Sequence, residues 1–465
     1  MLNQELTIVL FLGLFNTASS GQTIVPELAQ QDGKKKEEVV NIGPLGGDTT
    51  VSETSRKAFT LSNRNLEDEH KSAFFLGNSL FNKNWTQAPS SASARDGLGP
   101  LFIARSCSGC HTQDGRGRPP EEGDDFVSLL FRASEHDEFD RLVPHHKYGG
   151  QIQTRSLSDE VKEPKIQVAY EEVKGAYPDG VQYTLQKPLY SLEGEKSTIL
   201  SPRVAPAVVG LGLLEAIPEE ILLSWADPED KNDDGISGRV NRVLDVKSGE
   251  KKIGRFGWKS NQPNLAQQVA SAFNGDIGIT SSLFPDENST AFQKPKLIDL
   301  PSGGDPEISD RLIDSVVLYC KTLAVPAQRE SKLADVREGQ VLFTQANCVA
   351  CHKPEVMTGD YEIASLAQQK IHPFTDLLIH DMGEGLADNR PDGEANGREW
   401  RTPPLWGIGL VETVNKHTRF LHDGRARNIE EAILWHGGEA EASKNVFKSL
   451  SRKERDQLLV FIRSL

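Results

Sequence analysis

The sequence predicts a mainly α-helical protein made of two related halves, the first enlarged by a small β-containing insertion. Three observations predict it. Leu101-Phe102, four residues, then Cys107-Ser-Gly-Cys110-His111 recurs as Leu342-Phe343, four residues, then Cys348-Val-Ala-Cys351-His352. Arg203-Val-Ala-Pro206-Ala-Val-Val-Gly210-Leu-Gly212-Leu-Leu-Glu215 recurs, with one gap, as Arg401-Thr-Pro-Pro404-Leu-Trp-Gly407-Ile-Gly409-Leu-Val-Glu412. Glu219-Glu-Ile-Leu-Leu-Ser-Trp225 then resembles Glu430-Glu-Ala-Ile-Leu-Trp-His436. Segments that repeat in the same order mark an internal duplication.

The Cys-x-x-Cys-His pentapeptide is the attachment signal of a c-type haem. Its two thiols bond the porphyrin vinyls, and the adjacent histidine gives the iron a proximal nitrogen. One such pentapeptide is also compatible with half of a zinc site or with chance. Two, with the same lead-in, predict two covalently bound haem c groups, at Cys107, Cys110 and His111 and at Cys348, Cys351 and His352. The expected architecture is therefore two cytochrome-c-like helical haem domains related by duplication. The first spans residues 71–326 and carries the insertion; the second spans 333–465. The polar stretch from Ala327 to Lys332, after Pro326, separates them.

At 465 residues the chain has room for two or three domains. Its formal charge of −15 disfavours nucleic acid and anionic membranes; it would either attract a basic electron carrier or serve solubility alone. Four of the five cysteines lie in the haem motifs, and Cys320, in an apolar helical run, reads as a core thiol. Thr7-Ile-Val-Leu-Phe-Leu-Gly-Leu-Phe15 followed by small residues reads as a signal peptide over 1–20, although a basic start is missing. The run is too short to span a bilayer, so no membrane span is expected in the mature protein. Haem attachment of this type adds to the expectation of a periplasmic or otherwise extracytoplasmic location.

Residues 21–70 lack a sustained period and read as a low-complexity linker. His70 to Leu80 is apolar enough for a helix. Thr112 to Pro120 is a Gly-rich loop suited to wrap a haem edge. Ile166–Tyr170 and Val181–Leu185 alternate like strands and locate the insertion. Asp230-Lys-Asn232-Asp-Asp234-Gly235 matches the front of a calcium loop, but Asn241 stands where the twelfth-position Glu belongs. Either a single structural Ca²⁺ or a solvated acidic turn fits it. Residues 306–325 predict a long helix ended at Pro326. Val336–Phe343 predicts the helix that opens the second half, and Ser451 with Glu454 predicts a capping box on a closing helix.

The second axial position of each iron decides the chemistry, since a strong ligand makes an electron carrier and an open site binds small molecules. Downstream of His352 the choices are Met382 and His372, His380, His417, His422 and His436. Met357 lies too near His352 in sequence to swing across the ring. His436 ends an apolar helical run and precedes Gly437 and Gly438, which would let its ring approach closely. Trp225 occupies the matching place in the first half and cannot ligate. His136, His145 and His146 are the nearby alternatives there, although each also reads as a loop residue.

Taken together, the two haem motifs, Arg401-Thr-Pro-Pro404 and Phe420-Leu-His422-Asp423-Gly424 resemble the bacterial di-haem cytochrome c peroxidase superfamily. Gly210–Pro218, Gly254-Arg-Phe-Gly-Trp-Lys259, His380-Asp-Met-Gly383 and Trp435-His-Gly-Gly-Glu-Ala440 resemble its branch of di-haem oxidoreductases, often labelled thiol oxidoreductases. The resemblance covers roughly residues 70 to 465. In the peroxidases the electron-transfer haem takes a Met fourteen residues after the His of the Phe-x-His-Asp-Gly motif. Counting from His422 reaches His436, which implies a bis-histidine second haem and puts Met382 second. The peroxidase residues around the peroxide-binding haem have no match here, and Glu215, Glu219 and Glu220 are the nearest carboxylates. Glu215 is the candidate proton relay.

The implied activity is electron passage from the C-terminal haem to an N-terminal haem that reduces a small oxidant, hydrogen peroxide being the leading substrate. A redox partner protein such as a small cytochrome would deliver the electrons. The alternative is a pure di-haem electron carrier with both irons fully ligated.

Overall fold

Two crossed helix pairs frame the protein in a computed structural model, which describes residues 42–92, 95–121 and 126–465. In the first half an opening helix, Asp68–Asn82, packs on a closing helix, Asp310–Thr322. In the second half Ala334–Gln345 packs on Arg452–Ser464. Each forms because one face is apolar at helical spacing. Phe74, Gly77 and Phe81 are buried on the first opening helix, and Val336, Gly339 and Phe343 on the second. Acidic Asp68 and Glu69 sit in the first turn, where the helix dipole favours negative charge. The last helix begins with the expected capping box of Ser451 and Glu454.

The two crossings are built alike. A Cβ on Gly77 would lie 2.0 Å from the Ser315 carbonyl and 2.7 Å from Tyr319 Cβ. One on Gly339 would lie 2.0 Å from the Gln457 carbonyl and 2.7 Å from Phe461 Cβ. Glycine is required because backbone meets backbone. The repeated Gly-x-Gly segments meet the same closing helices six residues further on. Gly210 and Gly407 have φ of 71° and 74°, and a Cβ on Gly212 or Gly409 would strike the carbonyl of Lys321 or Arg463.

This symmetry corrects one sequence correspondence. Leu101–Phe102 is a short strand paired with Arg155–Ser156, not helix. The counterpart of Leu342–Phe343 is Leu80–Phe81: Phe81 lies 6.1 Å from the His111 ring and 5.4 Å from Tyr319, and Phe343 lies 6.1 Å from His352 and 5.4 Å from Phe461. Cys348 comes five residues after Phe343, whereas Cys107 comes 26 after Phe81. The extra loop hid the match.

The prediction of a mainly α fold of cytochrome-c-like domains is overturned. The protein is only 30% helical and 19% strand, and its strands form several small sheets. The physical reason lies in the walls between the helix pairs, which are extended segments. Pro373, Pro403 and Pro404 lack backbone N–H groups and hold the chain extended. Leu129–His136 forms a three-stranded antiparallel sheet with Leu142–Pro144 and Ile199–Val204, burying Leu129, Phe131 and Ala133 in alternation. Strands form at both stretches read as such and run further, Ile166–Ala176 pairing with Gln182–Leu192. The expected linker differs too. From Ile42 onward it packs, with Leu45 and Phe59 buried, Val51 bridged to Pro326, and the Leu45 carbonyl accepting from His372 N. The proposed signal peptide and residues 21–41 lie outside the described residues. No described helix is long and apolar enough to cross a membrane.

If the two crossings carry the fold, Gly77→Ala and Gly339→Ala should each lower stability by about 1–3 kcal/mol, the usual cost of overpacking. Gly150, where an added Cβ meets nothing within 4 Å, is the control. Urea unfolding of the three variants measures the difference, and equal midpoints would refute the assignment.

Candidate functional site

Both haem motifs open onto one cavity of about 430 Å³, lined mostly by apolar side chains. Cys107, Cys110, His111, Cys348, Cys351, His352 and His436 all line it. Three of its histidines share one arrangement. His111 Nδ1 donates to the Pro206 carbonyl at 2.7 Å, and His352 Nδ1 to that of Phe374 at 2.8 Å. His436 Nδ1 donates to the Ala432 carbonyl at 2.6 Å, one helical turn back. A carbonyl can only accept, so Nδ1 carries the proton in each ring and Nε2 keeps a free lone pair. Burial holds all three below the ordinary histidine pKa, His352 down to about 4. The nearby His436 contributes to the lowering at His352. The rings are thus neutral and poised as metal ligands.

The donor set fits two haems. Each motif offers a cysteine pair and a correctly polarised histidine to the same apolar space. The wall also suits the propionates of the group, since Arg116, Arg132, Arg203 and Arg401 line it against the carboxylates of Asp276 and Glu439. Arg132 Nε and Arg203 Nη2 are buried without a hydrogen-bond partner. Burial holds Arg116 and Arg401 down to about 10, so both remain cations at neutral pH.

The remaining sequence candidates separate clearly. Met382, His380 and His422 line the cavity, but His372, His417, His136, His145 and His146 do not. His372 donates to the Pro354 carbonyl, and His417 Nε2 to that of Arg116. His146 pairs with Glu135 at 2.8 Å, and His145 stacks on Tyr148. Both nitrogens of His380 are taken by carboxylates, Asp376 at 2.9 Å and Glu439 at 2.7 Å. His422 lies flat on Trp400, 3.7 Å between centroids, with its Nε2 buried without a hydrogen-bond partner and 3.8 Å from Asp423 Oδ2. Met357 is exposed.

Glu215 is placed away from the cavity. It accepts from Leu265 N at 2.6 Å, capping the helix Leu265–Ala272, and pairs with Lys321 at 2.9 Å and the Tyr361 hydroxyl. These contacts tie it to Leu265, Lys321 and Tyr361, and Glu215 is not among the residues that line the cavity. Glu219 and Glu220 are exposed on their helix. The acidic loop closes on itself: Asp230 Oδ1 accepts from the amides of Asp234 and Gly235, and Asn232 Nδ2 donates to Asp234. Asn232 and Asp234 also line a second cavity of about 320 Å³, which Trp225 and Lys353 share.

Sequence reading missed the cross-braces behind the site. Lys259 is fully buried, paired with Asp388 at 2.8 Å and bonded to the carbonyls of Arg390 and Asn396. Its Nζ sits 4.4 Å over the Trp400 ring. Burial pulls its pKa down to about 8, against the attraction of Asp388. Trp258 Nε1 donates to the Val204 carbonyl, and Arg203 pairs with Asp392 at 2.7 Å. The repeated Arg-x-x-Pro motif and the Gly254–Lys259 segment were the only local signals.

Lys259→Ala should cost about 3–5 kcal/mol, because it leaves the Asp388 carboxylate buried and unpaired. Lys259→Ala with Asp388→Ala should recover part of that loss in chemical unfolding. A single variant as stable as the parent would remove the pair from the core of the site.

Comparison with known proteins agrees with this geometry. A family model described as "Di-haem oxidoreductase, putative peroxidase" matches residues 39–135 and 194–465. No curated protein matches the chain. The match leaves out residues 136–193, which hold the strands Ile166–Ala176 and Gln182–Leu192. It spans both Cys-x-x-Cys-His motifs, so haem is the cofactor and redox chemistry the class of activity: the chain belongs to the di-haem oxidoreductase family.

Proposed function

We propose that the protein is an extracytoplasmic di-haem c-type oxidoreductase with two unlike iron sites. Cys107 and Cys110, and Cys348 and Cys351, would hold the groups covalently. His111 and His352 would be the proximal ligands, and His436 the second ligand opposite His352. When bound, the haems supply electron acceptance at the second site and reduction of a small oxidant, hydrogen peroxide by preference, at the first.

One observation carries this reading. Of the cavity-lining histidines, only His111, His352 and His436 have a proton-bearing Nδ1 tied to a carbonyl and an unclaimed Nε2. His436 acts electrostatically on His352. Among the described residues no further cavity-lining histidine with that arrangement is left to pair with His111. That asymmetry favours an enzyme over a pure carrier, which needs both irons fully ligated. The chain's own part is to fix imidazole tautomers, exclude water with apolar walls and offset propionate charge with arginine. A basic redox partner such as a small cytochrome suits the net charge of −15. Asp230, Asn232 and Asp234 would hold a calcium ion, in which case a chelator lowers thermal stability and Asp234→Ala removes that sensitivity.

The exported protein should weigh two haems more than its polypeptide, and acid-acetone should not extract them. Its ferric spectrum should contain one low-spin and one high-spin haem, the latter binding cyanide. His436→Met should create a weak near-infrared sulfur-to-iron band and raise the midpoint potential, because a thioether favours ferrous iron. Two low-spin haems in every redox state would instead make the protein a carrier. A native sulfur band abolished by Met382→Leu would give the second ligand to Met382.

A further inference from the structure

The His380-Asp-Met-Gly383 motif lies in the cavity wall, yet the ligand set does not use it. Its histidine is 3% exposed in its side chain and sits between two buried carboxylates. Nε2 faces Asp376 Oδ2 at 2.9 Å and Nδ1 faces Glu439 Oε2 at 2.7 Å. A carboxylate oxygen accepts, so both ring nitrogens donate and the ring is an imidazolium. Burial opposes that charge, but Asp376 holds the pKa well above the ordinary histidine value, and Glu439 in turn lies low. Cys351, Asp376 and His380 come close enough to resemble a metal cluster, but an imidazolium has no lone pair to give.

The positions of the two carboxylates are informative. Asp376 follows by two residues Phe374, whose carbonyl orients His352. Glu439 follows His436 by three residues. His380 therefore bridges the segment that orients one ligand of the second iron to the segment that carries the other. Its surroundings hold it still. Strand pairing sets it opposite Trp400, and a Cβ on Gly238 would lie 2.3 Å from its Cε1. The other oxygen of Glu439 accepts from Asp381 N and the Ser237 hydroxyl. Gly437 and Gly438 also serve this contact: a Cβ on Gly438 would lie 2.2 Å from the Asp381 carbonyl, and one on Gly437 3.0 Å from that of Met382.

We propose that His380 is a positioning residue that clamps the two axial-ligand segments of the second iron together through Asp376 and Glu439. The clamp rests on the reading of His436 as second ligand. It resists loss of that ligand in the ferric state, because moving His436 away would pull Glu439 from a buried ion pair, a costly separation in a low-dielectric interior. It also explains why the His380-Asp-Met-Gly383 and Trp435-His-Gly-Gly-Glu439 motifs occur in one chain: they form one contact.

The test uses the full-length holoprotein with both haems, counted by pyridine haemochrome. His436→Ala comes first and should raise the high-spin ferric signal from one haem per chain toward two. If it does not, the ligand assignment fails and the clamp falls with it. Given that result, His380→Gln and Glu439→Gln should each retain two haems yet show a second high-spin population, which added imidazole returns to low-spin. A purely structural residue would lower the melting temperature without changing the spin state. Either variant that folds with two haems, the parental spin state and the parental potential at the second haem overturns the proposal. Should His380→Gln fail to fold, the milder Glu439→Gln decides alone.

Discussion

The structure depends on the close approach of two helix backbones in each half. At Gly77 and Gly339 the missing Cβ lets an opening helix sit against the carbonyls of a closing helix. Four residues later the same helix face delivers Phe81 or Phe343, each 6.1 Å from its proximal histidine. The crossing thus places the floor on which each imidazole rests. The Gly-x-Gly segments then bring the chain over the last turn of the closing helix, so that Pro206 can accept from His111. The same crossing is reached through a loop of different length in each half, because packing constrains the helices and the loop only has to close.

A single cavity shared by two motifs demands that the halves meet without error, and buried polar contacts do that work here. Arg203 with Asp392, Lys259 with Asp388, and Ser201 with Asp388 all join segments far apart in sequence. Such pairs add little net stability over apolar packing, but a misaligned arrangement leaves a charge buried alone. Their value is therefore in choosing one arrangement of the walls. The apolar lining has the complementary effect of keeping His111, His352 and His436 neutral, which leaves their lone pairs available.

The segment outside the family match extends this bracing across the molecule. Tyr177, at the end of its first long strand, donates to Glu430 at 2.6 Å, and Asp179 in the turn pairs with the buried Arg455 at 2.7 Å. Arg455 also lies 4.0 Å over the Tyr177 ring. The insertion of the first half thereby touches both the helix that leads to His436 and the last helix of the chain. Much of the rest of the hairpin is exposed, so its tip contributes more to the frame than its length.

What the sequence determined by itself was chemistry carried by adjacent residues. The two Cys-x-x-Cys-His motifs, the Arg-x-x-Pro and Gly-x-Gly repeats, the Ser451 capping box and the distance from His422 to His436 are all local patterns. They named the cofactor class and the residues His111, His352 and His436 that the cavity gathers. The fold class was misjudged because helical periodicity marks only the crossed pairs, while the walls are extended segments whose buried residues follow no period. Tertiary structure alone decided that Leu80–Phe81 matches Leu342–Phe343, that Glu215 caps a helix, and that His380 sits between Asp376 and Glu439. Each of these depends on a partner remote in sequence: Gly77 on Ser315, Glu215 on Leu265, His380 on Glu439. A single sequence records which residues can share a helix face or strand face, but the identity of a distant neighbour, and the charge it induces, exists only once the chain has closed.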